Sequence, residues 1–156
     1  MTRYALKDIC TELHSGKGIS SSEISDAGKY PVIGGNGVRG YTTKSNFSGE
    51  CAVIGRQGAA CGNVRFFSGD AYMTEHAVIA RGNSICDSRY LAYALGQMHL
   101  GRLSAQSAQP GLSVKTLGEQ VIELPAHEEQ EAIVDVLGKL DDKIALNSQI
   151  NGYLAA

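Results

Sequence analysis

The sequence predicts an α+β fold: a small, irregular, mostly antiparallel sheet domain with short helices, followed by a long C-terminal helix of coiled-coil type. Three observations carry this. Glycine is abundant, 19 of 156 residues, and 10 of the 19 fall between Gly28 and Gly69, which divides that stretch into short strands and turns. Leu91, Ala94, Leu95 and Met98 lie on one helical face. Near the end, Ile133, Leu137, Leu140 and Ile144 recur at alternating spacings of four and three, with Val136, Ile150 and Leu154 nearby. That is the narrow apolar seam by which one helix packs along another.

In chain order, Arg3 to Leu13 is short and mixed and ends in a turn at Ser15-Gly16-Lys17-Gly18, and Ile19 to Lys29 is polar and loop-like. Strand-type segments follow at Tyr30–Ile33, Gly40–Thr43, Cys51–Gly55, Asn63–Phe67 and Ala77–Arg81, each bounded by Gly, Asn, Asp or Ser. Asn36-Gly37 suits a tight hairpin turn. A helix is expected from Ser88 to about Leu100, a polar loop over Gly101–Gly111 and a strand over Gln120–Leu124. Pro125 stands just before the last helix, and Glu128, Glu129 and Glu131 fall in its first turns, where negative charge suits the helix dipole. The chain thus divides into a domain over 1–125 and a helix over 126–156. The seam runs on through Asn147 and Asn151, polar groups of the kind that fix the register of a helix pair. The same periodicity also suits a terminal helix packed on its own domain.

Composition excludes several classes. Cys10, Cys51, Cys61 and Cys86 show no Cys-x-x-Cys spacing, so neither a zinc site nor a disulfide framework is expected. No apolar run has the length of a signal or a membrane span, which points to a cytoplasmic protein. Gly35-Asn36-Gly37-Val38-Arg39-Gly40 satisfies the dinucleotide pattern literally, but the residues after it do not form the helix whose N-terminus would hold a pyrophosphate. His14, His76, His99 and His127 are scattered, no paired-carboxylate-plus-lysine arrangement is present, and Pro31, Pro110 and Pro125 leave no Asn/Asp-Pro-Pro-aromatic motif for amino methylation. A non-catalytic chain without cofactor or metal is expected.

The chain is net -2, yet residues 1–109 carry 11 Lys and Arg against 8 Asp and Glu, while 110–156 carry 3 against 8. A basic body with an acidic appendage is compatible with a nucleic-acid partner. Long polar side chains sit on predicted turns of that body: Asn36, Arg39, Lys44, Arg56, Gln57, Asn63, Arg65, Gln106 and Gln109. Arg and Lys pair with guanine, Asn and Gln with adenine, and all of them reach phosphate. Arg56-Gln57, between Gly55 and Gly58, is the most suggestive pair, since the flanking glycines let the backbone come close to a ligand. Ordinary surface loops would carry the same residues.

Several segments together resemble a known family. They are Gly16-Lys17-Gly18; Tyr30-Pro31-Val32-Ile33-Gly34-Gly35-Asn36-Gly37; Ile54-Gly55-Arg56-Gln57-Gly58 with Gly62-Asn63-Val64; Thr74-Glu75-His76-Ala77; Ser107-Ala108-Gln109-Pro110-Gly111-Leu112-Ser113; and Leu124-Pro125 with Glu129-Gln130 and Leu140-Asp141-Asp142-Lys143-Ile144. In this order and spacing the chain resembles one half of a specificity (S) subunit of type I restriction-modification systems, one target recognition domain plus one dimerisation and spacer helix. The resemblance implies double-stranded DNA as the ligand. It also implies as partners a methyltransferase subunit, which binds S-adenosylmethionine, and an ATP-dependent restriction subunit. Such subunits usually hold two recognition domains and two antiparallel helices; a chain with one of each is expected to form a homodimer or to pair with a second half-subunit. Ile133, Leu137, Leu140, Ile144, Asn147 and Asn151 are then the dimer interface, Arg56 and Gln57 the leading base readers with Arg39 and Gln109 next, and Lys44 and Arg65 phosphate contacts. A helix of roughly 25 residues spans about 37 Å, close to one turn of B-DNA. A small protein–protein adaptor, and a recognition domain cut from a larger enzyme, are the alternatives, the latter disfavoured by the starting Met1.

Overall fold

A computed structural model describes residues 1–106 and 111–154. The chain forms β1 (Thr2–Ala5), β2 (Cys10–Ser15), β3 (Tyr30–Gly34), β4 (Gly37–Thr42), β5 (Phe47–Gly55), β6 (Val64–Met73), β7 (Ala77–Gly82), α1 (Ser88–Gly96), α2 (Val114–Gly118), β8 (Val121–Leu124) and α3 (His127–Leu154). Six strands make one sheet in the order β2-β7-β5-β6-β3-β4, and β1 pairs with β8 in a separate ribbon. Every pairing is antiparallel except β3 with β6. This is the expected α+β class.

Cys51–Ile54 of β5 and Ala77–Ala80 of β7 read as unbroken apolar runs because they are buried on both faces. Ala52, Ile54, Val78 and Ala80 point into one core with Leu6, Ile9, Leu91 and Leu117, whereas Cys51, Val53, Ala77 and Ile79 point into a second core with Ile33, Phe47 and Met73. Alternate residues of one strand serve opposite faces. The sheet curls on itself: Gly16, just past β2, donates its N–H to Ala77, and Lys17 N donates to Met73 O at 3.0 Å. Near the open end of the β5–β6 hairpin Gly49 (φ +116°) faces Gly69 (φ +130°), a pair of backbone conformations that side-chain-bearing residues rarely adopt.

α1 starts as its residues dictate, with the Asp87 carboxylate accepting from Arg89 N and Tyr90 N, both at 2.8 Å. Its buried face, Tyr90, Leu91, Ala92 and Leu95, covers the first core.

The structure departs from the sequence expectation in several places: Thr2–Ala5 is a strand beside β8, and β4 starts at Gly37, three residues before the expected Gly40. Cys10–Ser15 is a strand, because β7 supplies its hydrogen bonds. β5 and β6 are longer than their apolar centres, since pairing with each other carries them through polar residues such as Ser48 and Asp70. α1 stops at Gly96, and the stretch expected as a polar loop opens as a 3-10 helix, Leu100–Gln106, anchored by buried Leu100. A five-residue helix, α2, is capped by Ser113, whose hydroxyl accepts from Thr116 N at 3.1 Å.

α3 packs on its own domain at its start and leaves its apolar seam exposed further on. Gln130 is fully buried and Val134 packs on the first core, so the start of the helix belongs to the domain. The seam does not: Ile133 is 36% exposed, Leu137 37%, Leu140 54% and Ile144 63%. Among the described residues no helix is long and apolar enough to cross a membrane.

Candidate nucleic-acid interface

Arg56 follows β5 directly, and the loops gather around it. Its N–H donates to His76 O at 3.0 Å and its carbonyl accepts from Leu112 N at 2.8 Å. Its guanidinium turns inward, Nε donating to Leu112 O and Nη1 to Ser15 Oγ, both at 3.2 Å. Cys61 Sγ donates to Arg56 O at 3.2 Å. Gly55 N donates to Asn63 O and Gly62 N to Gly55 O, closing the turn between β5 and β6. The β3–β4 turn arrives at the same place: a Cβ on Gly35 would lie 3.1 Å from His76 O and 3.3 Å from Gly55 Cα. Glycines stand at this junction because backbones meet there. The segments around residues 16, 35, 56, 62, 76 and 112, far apart in sequence, are therefore one structural unit.

The polar side chains divide around it. Asn36 is exposed at the hairpin tip and accepts from Arg65 Nη2 at 3.5 Å; Arg65, at the start of β6, is exposed beside it. Arg39 is the extra residue of a β-bulge, since Val32 pairs with Gly40 and Ile33 with Val38, and a bulge re-aims its side chain. Gln57 is exposed, with its backbone bridged to Gly111. Asn63 is exposed at the end of the β5–β6 turn. Asn36, Gln57, Asn63 and Arg65 thus share one end of the domain with Arg56 at its centre. Lys44 lies elsewhere, beyond the far end of the β3–β4 hairpin, and forms an ion pair with Glu23. That pairing, mainly its hydrogen bond, lowers the pKa of Glu23 and raises that of Lys44. Gln106 closes the 3-10 helix, and Gln109 lies outside the described residues.

Next to Asn63 and Arg65 runs an open groove of about 610 Å³, lined also by His99, Gly101 and Arg102. No carboxylate lines it. His99 holds a left-handed backbone (φ 50°) where the chain leaves α1 for the 3-10 helix. The sequence reading missed His99 and Arg102; their signal was two cationic or ionisable side chains close together at a helix end. Among the described residues no group of His, Cys, Asp and Glu is placed to hold a metal ion.

The last component is the root of α3. Gln130 Oε1 accepts from Asp87 N at 3.0 Å, and its Nε2 donates to Ile85 O at 2.9 Å and Pro125 O at 3.1 Å. Two turns further on, Arg89 Nη2 donates to Gly138 O at 3.2 Å and to Asp142 Oδ1 at 3.0 Å, and Tyr93 Oη donates to Asp141 Oδ2 at 2.5 Å. Burial and this bond to Asp141 raise the Tyr93 pKa, so the phenol stays a donor.

Known proteins are similar to this chain in sequence and in fold. The specificity subunit of the Escherichia coli type I restriction enzyme EcoprrI is 38% identical over 134 residues, which are 83% of this chain and 33% of that one. Among solved structures, a type I restriction-modification S subunit from M. genitalium has a TM-score of 0.84, covering 95% of this chain and 41% of that one at 21% identity. The HsdS subunit of Thermoanaerobacter tengcongensis has a TM-score of 0.67, covering 93% of this chain and 38% of that one at 18% identity. The chain spans about two fifths or less of the length of these relatives. The structural likenesses establish the fold, and the family model described as "Type I restriction modification DNA specificity domain" matches residues 1–155. From the loop junction at Arg56 to the rooted helix, this chain belongs to the type I restriction-modification DNA specificity family.

Proposed function

We propose that this chain is a half-length specificity subunit that reads DNA in the cytoplasm and carries out no chemistry itself. Two copies pair through their α3 helices, so that two recognition domains face two half-sites of a bipartite target. The paired subunit brings a methyltransferase subunit and an ATP-dependent restriction subunit to that target. One observation carries the reading: a domain of the specificity fold bears a rooted helix whose apolar seam, Ile133, Leu137, Leu140 and Ile144, stands exposed. Asn147 and Asn151 continue that seam and set its register.

Within this reading the exposed end of the domain meets the duplex. Gln57, Asn36 and Asn63 offer donors and acceptors to base edges, and Gln106 and Gln109 are further candidates of the same chemistry. Arg39, re-aimed by its bulge, joins the base readers, and Arg65 holds phosphate; Lys44, ion-paired with Glu23 beyond the far end of the β3–β4 hairpin, is not part of this end. Arg56 positions the loops that carry the readers, because two of its guanidinium nitrogens already donate within the domain.

The test is a methylome map after co-expression with a methyltransferase subunit of the same system in a host without other methylation. Two-fold symmetry predicts a palindromic bipartite motif. A non-palindromic motif would replace the second copy with a different half-subunit. No new methylation by intact, assembled proteins would overturn the reading in favour of an adaptor.

A further inference from the structure

Beyond the packing of Val134 on the first core, the side-chain hydrogen bonds that hold α3 to its domain fall at two points, and the short segment Ile85 to Tyr93 takes part in both. The first is Gln130, whose side chain makes three hydrogen bonds, to Asp87, Ile85 and Pro125. The second is the contact of Arg89 and Tyr93 with Gly138, Asp141 and Asp142. We propose that this second contact sets the number of base pairs between the two half-sites. The proposal rests on the reading of the chain as one half of a paired DNA-recognition module.

One anchored point leaves a rod free to swing, whereas two points fix its direction. The second contact lies 8 to 12 residues beyond Gln130, about 12–18 Å along the axis. It is built to hold direction. Arg89 is fixed from three sides: its guanidinium stands over the Phe66 ring at 5.0 Å, Nε donates to Tyr93 Oη at 3.2 Å, and Nη2 donates to Gly138 O and Asp142. Gly138 is the buried residue that admits it, for a Cβ there would lie 2.9 Å from Arg89 Cζ. From Lys143 to Leu154 every residue of α3 is exposed, so the free part of the helix inherits whatever direction this contact gives. The lever is long. From Gln130 to Leu154 the axis runs about 36 Å, so a 10° swing displaces the tip by about 6 Å. At about 3.4 Å per base pair that is roughly two base pairs of spacing.

The Asp142 carboxylate is 73% exposed, and exposed ion pairs contribute little to stability. Cutting the contact should therefore change direction while leaving the fold. The experiment measures methylation, by the full chain assembled with its methyltransferase subunit, of duplexes whose half-sites are separated by the native spacing and by one or two base pairs more or fewer. Asp141→Ala with Asp142→Ala removes both acceptors on the helix side; Arg89→Lys and Tyr93→Phe cut the contact from the domain side. Each should raise methylation at a neighbouring spacing, relative to the native one, by about tenfold, the discrimination carried by one or two hydrogen bonds. The half-site bases should stay the same, and thermal unfolding should confirm the fold. An unchanged spacing preference in all three variants overturns the proposal, as does an equal fall at every spacing. The underlying reading fails separately, through a wild-type complex that methylates no specific sequence.

Discussion

Arg56 stands where the loops meet, and its chemistry is divided between backbone and side chain. Backbone bonds tie it to His76 and Leu112, and its guanidinium to Ser15 and Leu112. Arg56→Ala should lower stability by about 1–3 kcal/mol through these lost hydrogen bonds. Its neighbour Gln57 is exposed, so Gln57→Ala should change stability by less than about 0.5 kcal/mol while relaxing base choice at one position. Thermal unfolding and binding-site selection on both variants test the proposed roles, Arg56 in positioning the loops and Gln57 in reading a base. The pair was visible in sequence from its flanking glycines, but its division of labour was not. Which of two adjacent polar residues turns inward depends on Ser15 and Leu112, which lie 41 and 56 residues away. Burial also acts on the thiols, pushing Cys10, Cys51 and Cys86 up from 9.0 to about 12. In the unfolded chain they ionise near 9, while in the folded chain they stay protonated. Stability is therefore full below pH 9 and falls as pH rises from about 9 toward 12. Denaturant titrations across that range should show the decline, and reagents for free thiols should reach the buried Cys51 and Cys86 only on unfolding.

Among the elements, α3 has the plainest division of roles. Gln130 belongs to the domain, and Gln130→Ala would strand Asp87 N and two carbonyls, costing about 2–4 kcal/mol on the scale of unpaired buried groups; chemical denaturation measures it. The seam is exposed, and the proposed function gives it to a second copy. Leu137→Glu with Leu140→Glu should convert the pair to monomers by light scattering while the domain melts as before, since both side chains are exposed in the single chain. An unchanged dimer mass would remove the seam from the interface. α3 was legible because a 28-residue helix repeats its period many times. α1 was legible through its apolar face, and its end less so, because Gly96 stops it before the apolar pattern runs out at Met98. β1 and β2 were not legible as strands. Thr2–Ala5 has a half-exposed mixture of side chains and becomes a strand only because β8 lies alongside.

At the scale of the molecule, the sequence marked the segments that meet but not their meeting. A parallel pairing of β3 with β6 and a curl that brings Gly16 to Met73 arise from contacts across many residues, and no local pattern encodes them. Charge is distributed at this scale too: Arg65 and Arg102 line a groove without carboxylates, while acidic residues cluster on α3. Arg65→Ala should weaken binding to all DNA sequences alike and lower the slope of log affinity against log salt by about 1, as measured by binding titrations at several salt concentrations.

β1 lies along β8, the strand that runs into α3, so the first strand is fastened to the foot of the helix. In an antiparallel pair of helices the tip of one stands beside the foot of the other, and hence beside that copy's Thr2. A few residues of tether would then join Leu154 of one copy to the start of the next without disturbing any element. Duplication followed by fusion is open to such a molecule at almost no conformational cost. A single polypeptide carrying both halves would free each half to diverge, and with it the target from palindromic symmetry.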